Sequence, residues 1–279
     1  MHLNRVSVYK NIQMKKLIIC LFLFIAFNSK AQQSFFRANN NYVTPVIPFQ
    51  APPITSGEVT NGLLLYLNAT NNASYPGSGN TWYDLSGNSN HGTLSANGSG
   101  SLPSFQSGKF SFDGVGSYVS IAASVIPNSG SFSLSTWAKI PGGGFTDIIN
   151  GRDASSLIGF LLTTDGSNIR AQINNPSVNQ NVFSGFQVTD NNWHLITITV
   201  DASTNTMKAY VNNNLINTYQ FPSGSISGQG HLSIGWDYAW GDGRAYFNGS
   251  IATVSVYNFV LTSSNITTNY NALKSLFGY

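Results

Sequence analysis

The densest group of side chains able to recognise a ligand is WDYAWGDGRAY, Trp236 to Tyr246. Trp236, Tyr238, Trp240 and Tyr246 offer flat apolar rings, and Asp237, Asp242 and Arg244 offer paired polar atoms. Pyranose rings present apolar C–H faces that stack on aromatic rings, while Asp and Arg engage neighbouring hydroxyls in bidentate fashion. Gly241 and Gly243 let the backbone turn without filling such a site. The same residues have a plainer reading, in which the aromatics fold inward as a clasp over the edge of the domain. A second group is rich in oxygen: Asp84, Asn88 and Asn90 in WYDLSGNSNHG (Trp82 to Gly92), and Asp113 in FSFDGVGSYVSI (Phe110 to Ile121). Carboxylate and amide oxygens on loops are what calcium takes. Asp before Gly or Ser equally caps its own turn. Trp137 and Tyr210 fall on the minor faces of their strands, where they line a second surface or face an opposing sheet.

Catalytic groups are scarce. Among the ten acidic residues there is one Glu, Glu58, in a Pro-rich stretch. No strand-like run carries two Asp at i, i+2 or i, i+4, and Asp237 and Asp242 lie close only within the Gly-rich loop. Cys20 is the single cysteine, and it precedes the expected mature chain. His194 shares parity with Ile196, Ile198 and Val200, the pattern of a buried, hydrogen-bonded histidine. His91 belongs to the polar loop and reads as structural; His231 sits within a strand pattern.

The elements that must position these groups begin after an export signal. Met14-Lys15-Lys16 is a basic start, Leu17 to Phe27 an apolar run too short to span a bilayer, which needs roughly 20 residues, and Ser29-Lys30-Ala31 a cleavage site. Cleavage after Ala31 is expected; the alternative is a lipoprotein anchored at Cys20. The net charge of +3 comes from 13 basic and 10 acidic residues. Five of the basic ones, Arg5, Lys10, Lys15, Lys16 and Lys30, lie before the cut, so the mature chain carries about −2. Nothing basic remains to hold nucleic acid or an anionic membrane, and no stretch is expected to cross a membrane. Without disulfides, an exported chain of this kind relies on core size or on a metal.

Residues 32–60 read as a linker, with Pro45, Pro48, Pro52 and Pro53, some of whose apolar residues could dock on the flank of the adjoining domain. From Gly62 the pattern is strand, turn, strand. In SFSLSTWAKI, Phe132, Leu134, Thr136, Ala138 and Ile140 share one face, and Ser133, Ser135, Trp137 and Lys139 the other. WHLITITVD (Trp193 to Asp201) alternates again, and TMKAYVNNNLINTYQF is a hairpin with its turn expected at Asn213-Asn214. About a dozen strands at such spacings make a sandwich. The end, LTSSNITTNYNALKSLFGY, places Ile266, Tyr270, Leu273 and Phe277 at helical spacing behind a Ser or Thr cap at 262–264.

The Trp82–Gly92 loop, the Phe110–Ile121 stretch and the last strand FNGSIATVSVYN (Phe247 to Asn258) resemble the laminin-G-like, concanavalin A-like lectin/glucanase jelly-roll domains of secreted bacterial proteins, over about Asn61 to Tyr279. The resemblance implies one antiparallel β-sandwich closed by a short C-terminal helix, with residues 1–31 a signal, 32–60 a linker and 61–279 the domain. It also implies a structural calcium near an Asp such as Asp113, with Asp84 and Asn90 as further candidates. Relatives often follow the Ile of the last strand with Asp-Glu, whereas Ile251 is followed here by Ala252-Thr253. Glucanases of this architecture use two Glu on one strand in an E-x-D-x-x-E pattern, which is missing here. The expectation is therefore a secreted, non-catalytic module, extracellular, on the cell surface or in the periplasm, that binds a glycan or glycoconjugate through Trp236, Asp237, Tyr238, Trp240, Asp242 and Arg244. The alternatives are an adhesive surface module binding a protein partner, or a hydrolase with an atypical site.

Overall fold

The computed structural model describes residues 57–142, 144–153, 159–175, 178–223, 229–237 and 246–279. The expected signal and most of the expected linker lie outside them. The described chain forms two antiparallel sheets packed as a sandwich. In chain order the strands are β1 (Leu63–Asn68), β2 (Thr81–Trp82), β3 (Gly92–Ala96), β4 (Ser104–Gln106), β5 (Lys109–Asp113), β6 (Ser117–Ile121), β7 (Phe132–Lys139) and β8 (Asp147–Arg152). The second half supplies β9 (Gly159–Asp165), β10 (Asn168–Asn175), β11 (Val178–Gln187), β12 (Trp193–Asp201), β13 (Thr206–Val211), β14 (Asn214–Gln220), β15 (Gln229–Ile234) and β16 (Asn248–Tyr257). Helix α1 (Ser263–Leu273) and a 3-10 turn (Lys274–Phe277) close the chain. Sheet A runs β14-β13-β12-β7-β16-β5-β4, with β1 also on β16, and sheet B runs β11-β10-β9-β8-β15-β6-β3-β2.

The inward faces follow the period-2 pattern. Phe132, Leu134 and Ala138 of β7, Ile196, Ile198 and Val200 of β12, and Ile251, Val254 and Val256 of β16 meet Val119 and Ile121 of β6, Phe160 and Leu162 of β9, and Leu232 and Ile234 of β15 in one core. At about 25 cal/mol per Å2 of apolar surface removed from water, this core is the main source of stability in a disulfide-free domain. His194 pairs with Ala138 across β12 and β7, is buried, and has Nε2 3.1 Å from Asp190 Oδ1. The β13–β14 turn falls at Asn212-Asn213, one residue earlier than the amide pair chosen from sequence. Val211 pairs with Asn214 there, and Asn212 takes φ 53°, a conformation Asn tolerates.

The outer face of sheet A is covered as well. Ser135 and Thr197 bond hydroxyl to hydroxyl at 2.7 Å, and Ser133 Oγ donates to the Phe259 carbonyl at 2.8 Å. Trp137, fully buried, stacks on Phe277 at 4.4 Å and on Tyr270 at 5.7 Å between ring centroids. Trp137 and Tyr210 are thus packing residues beside the C-terminal helix. That helix starts where expected: Thr262 is the N-cap, in a capping box with Asn265. The last residues before β1 are bonded to the same layer. Glu58 accepts from the Tyr66 hydroxyl, Val59 N–H donates to Asn269 Oδ1 at 2.8 Å, and the Tyr257 hydroxyl donates to the Val59 carbonyl at 3.2 Å.

Candidate functional site

The alternation rule breaks in DIINGR, residues 147–152, and the break builds the site. The register of β8 on β9 pairs Asp147 with Thr163 and Ile149 with Leu162, so Ile148 is an extra residue in the ladder. Ile148 and Ile149 both enter the core. Asp147 and Asn150, three apart, therefore come to the same outer face. Leu161 and Thr163 of β9 lie opposite them, Arg170 and Gln172 continue the row on β10, and Ser233 of β15 stands beside Asn150. Beyond Ser233 comes Ser120 of β6. The outcome is a polar row across the outer face of sheet B.

A tight turn then brings Trp236 and Asp237 to this row. Gly235 has φ 86°, and a Cβ on it would lie 2.7 Å from the Phe112 ring, so only glycine fits without displacement. Its N–H donates to the Ile148 carbonyl at 3.0 Å and its own carbonyl accepts from Phe247 N–H at 2.9 Å. Asp237 pairs with Arg152, and its Oδ1 accepts from Asn150 Nδ2 at 2.8 Å. Asn150 Oδ1 in turn accepts from Arg152 N–H at 2.9 Å. All three are nearly closed off from solvent, at 0% exposure for Asn150, 3% for Arg152 and 2% for Asp237. The carboxylate expected to reach out for sugar hydroxyls is instead committed inward. Trp236 is half-buried; it stacks on Tyr246 at 5.8 Å with planes 10° apart and packs on Tyr118 at 4.8 Å. Tyr246 is itself anchored, its hydroxyl accepting from Asn97 Nδ2 at 3.1 Å. Of the six residues chosen from the sequence, Trp236 and Asp237 are brought together here. Tyr238, Trp240, Asp242 and Arg244 lie outside the described residues. Sequence reasoning missed Tyr118, Asp147, Asn150, Arg152, Arg170 and Ser233.

The two carboxylates of the calcium set are engaged by protein donors. Asp84 Oδ1 accepts from Tyr66 N–H at 2.8 Å and Ser86 N–H at 2.9 Å, and Oδ2 from Ser86 Oγ at 2.8 Å and Asn90 N–H at 3.0 Å. His91 Nδ1 accepts from Asp84 N–H at 3.1 Å, which gives that loop histidine a structural task. The Asn90 amide donates to the Leu64 carbonyl at 2.9 Å. Asp113 Oδ1 takes the N–H groups of Val115, Gly116 and Ser117, and Oδ2 that of Ser101 at 2.7 Å. Desolvation works against the Asp113 charge, yet these backbone donors hold its pKa well below the carboxylate range. Both acids are turn organisers. The expected outcome is one melting midpoint in saturating calcium and in chelator. An ion bound only by the folded chain would add about 2.7 kcal/mol at a hundredfold excess over Kd.

Asp147 behaves differently. Burial pushes its carboxyl up to about 6, against the Thr163 hydrogen bond and the attraction of Arg152 and Arg170. A folded pKa above the ordinary 3.8 means that the native chain holds this proton more tightly than the unfolded chain. Stability from this group is full below about pH 4 and is lost as pH rises through about 6. Asp147→Asn should abolish that loss, so the variant gains on the wild type by about 3 kcal/mol between pH 4 and 7. Denaturant titrations at the two pH values check this; a gap independent of pH contradicts it.

A family model described as the concanavalin A-like lectin/glucanases superfamily matches residues 113–267. A search of curated proteins finds no match. Solved structures of similar fold include a botulinum neurotoxin type C that depends upon interaction with two ganglioside molecules to enter cells, 18% identical over 77% of this chain and 52% of that one, with a TM-score of 0.57. The binding domain of botulinum neurotoxin DC in complex with rat synaptotagmin II is 17% identical over 77% and 52%, with a TM-score of 0.57. The binding domain of Paraclostridial Mosquitocidal Protein 1 is 17% identical over 76% and 52%, also at 0.57. The chain spans about half the length of these structures, and at this identity the likeness is one of fold.

Proposed function

The chain belongs to the concanavalin A-like lectin/glucanase superfamily, and on that premise we propose that it is an exported, non-catalytic module that binds a glycan or glycoconjugate on the outer face of sheet B. The observation that carries this reading is Trp236. A half-exposed indole, held flat against Tyr246 and braced by Tyr118, sits at the end of a row of amide, hydroxyl and charged groups. A rigid ring beside fixed polar atoms is what a pyranose needs for stacking and orientation. Rigidity matters because an ordered ring costs little entropy on binding. The ganglioside-dependent toxin of similar fold supports the ligand class. Hydrolysis is disfavoured on one specific ground. Asp147 has the raised pKa of a general acid, but Asp237, the other buried carboxylate of this face, is held by Arg152 and Asn150 and is not poised as a partner. A protein partner is the second reading, favoured by β14. This strand ends sheet A, carries no charge in NLINTYQ and leaves Leu215 exposed, features that suit contact with a partner.

The test is an array of neutral and sialylated glycans probed with the mature chain and with Trp236→Ala. Binding should be weak, and the variant should lose it while giving up only about 1–3 kcal/mol of stability, the worth of two ring contacts. Unchanged glycan binding in a folded variant would remove Trp236 from the site. Absence of glycan binding by the wild type would turn attention to the β14 edge.

A further inference from the structure

The connections between strands gather at the two ends of the sandwich, and the two ends are finished differently. One end carries the turn between β5 and β6, the connection from β7 to β8 and the residues that follow β15. Hydrogen bonds join these pieces: Gly114 N–H donates to the Phe247 carbonyl at 3.0 Å, Phe247 N–H to the Gly235 carbonyl at 2.9 Å, and Gly235 N–H to the Ile148 carbonyl at 3.0 Å. The loop before β4 belongs to the same end, since Ser101 N–H donates to Asp113 Oδ2 at 2.7 Å. So does the last segment of the chain. The Tyr279 hydroxyl donates to the Trp193 carbonyl at 2.6 Å, and Trp193 pairs with Lys139, the final residue of β7. Six large apolar side chains are exposed among the described residues. Leu215 lies on the β14 edge. The other five, Leu102, Val115, Phe145, Leu276 and Tyr279, are between 42% and 61% exposed and all belong to this one end. The opposite end has apolar residues too, and buries them. Val125 and Ile126 between β6 and β7, Phe221 after β14 and Leu261 before α1 are at most 5% exposed. Single exposed apolar side chains are ordinary on a protein surface, but confinement of all five to one end is not.

Three observations define what this end fits. First, the tips stand on separate loops. Gly114 and Gly116 flank Val115, Gly144 and Thr146 flank Phe145, and Ser101 precedes Leu102. A protein interface needs a contiguous, close-packed apolar centre, whereas the boundary between lipid headgroups and acyl chains accepts each tip independently. Second, amphipathic rings stand close by: Trp193 and Trp236 are half-buried, and Tyr279 turns its hydroxyl inward. Trp and Tyr are the side chains favoured at headgroup depth. Third, the charges here are mixed in sign and held by the protein's own groups. Asp113 accepts four backbone N–H groups, Asp190 accepts from Asn192 N–H at 2.9 Å, and the Lys274 ammonium lies 5.5 Å from the centre of the Tyr270 ring. Lys139 and Lys274 stand against Asp113, Asp165 and Asp190, so no basic excess attracts anionic headgroups. The complement in charge is a surface of no net charge. We propose that this end of the sandwich docks on a zwitterionic phospholipid surface, with Leu102, Val115, Phe145, Leu276 and Tyr279 entering the headgroup–acyl boundary. The docking needs no sugar at Trp236, and vesicles free of glycolipid test it separately from the function assigned there.

The experiment is flotation of the mature chain with vesicles of phosphatidylcholine alone and of phosphatidylcholine mixed with phosphatidylserine. Saturable binding to the neutral vesicles, insensitive to added salt, is expected, and phosphatidylserine should not strengthen it. Combining Val115→Ser with Phe145→Ser should weaken binding at least about tenfold, since two apolar tips are lost. Both side chains are exposed, so the melting midpoint should stay unchanged. A polarity-sensitive fluorophore attached after Phe145→Cys should shift to the blue on the vesicles. The same fluorophore attached after Ser223→Cys, beyond β14 at the opposite end, should not. The only cysteine of the sequence, Cys20, precedes the expected cut, so each label has one site. Failure to bind neutral vesicles, binding that appears only with phosphatidylserine, unchanged binding by the double variant, or equal shifts at both positions would each overturn the proposal. Self-association without lipid that the double variant abolishes would assign this end to a second copy of the chain and would overturn it too.

Discussion

The ion pair between Arg152 and Asp237 is the interaction on which the outer face of sheet B depends. Neither charge reaches solvent, and a buried guanidinium that lost its partner would cost about 3–5 kcal/mol. The pair joins the end of β8 to the residue after the Gly235 turn, and Asn150 bonds to both partners. Whatever fixes Asp237 also fixes Trp236, its neighbour in the chain. The bulge at Ile148 is the precondition, since without the extra residue Asn150 and Arg152 would point into the core. A local irregularity in one strand therefore sets the position of an aromatic ring that follows another strand some 85 residues later in the chain.

The two outer faces of the sandwich are finished in different ways. On sheet A, serine and threonine hydroxyls pair with one another and with turn carbonyls, and α1 with its 3-10 extension closes over Trp137. Glu58 and Val59 tie the incoming chain to that layer through Tyr66, Tyr257 and Asn269. On sheet B, charge takes the place of the helix: Asp147, Arg152, Arg170 and Asp237 occupy positions where a two-layer fold normally shows solvent-facing polar residues. Keeping charges in such surroundings needs partners, which Arg152, Asp237 and Asn150 supply to one another. That arrangement, with an aromatic ring at its end, is the reason sheet B is proposed as the recognition face.

Much of the architecture was legible because it rests on local rules. Period-2 alternation identified β7, β12 and the inward-facing His194, the family resemblance identified β16, and the N-cap and helical spacing identified α1. The site was less legible for physical reasons that can be stated. DIINGR does not alternate, and no local signal marks a bulge whose cause is the pairing of β8 with β9 and β15. Asp237 looked like a free hydroxyl partner because Arg152, its actual partner, is remote in sequence and part of an irregular strand. Asp84 and Asp113 read as candidate calcium ligands because oxygen-rich loops serve cations and backbone N–H groups alike; that both accept several N–H groups of their own loops depends on a turn geometry that no local pattern spells out. Trp137 sat on the polar-looking face of β7, where nothing nearby announced that the C-terminal helix would cover it.

Where a neutral oligosaccharide touches the domain decides whether sheet B is the recognition face. Backbone amide shifts of the isotope-labelled chain, titrated with a panel of neutral pyranose oligosaccharides at millimolar concentration, locate that contact position by position. Saturable shifts concentrated at Tyr118, Ser120, Ser233, Trp236 and Asp237, on one face of sheet B, are expected. Shifts confined to sheet A or to the β14 edge, or no saturable shifts with any of the sugars, would contradict a recognition face built around Trp236.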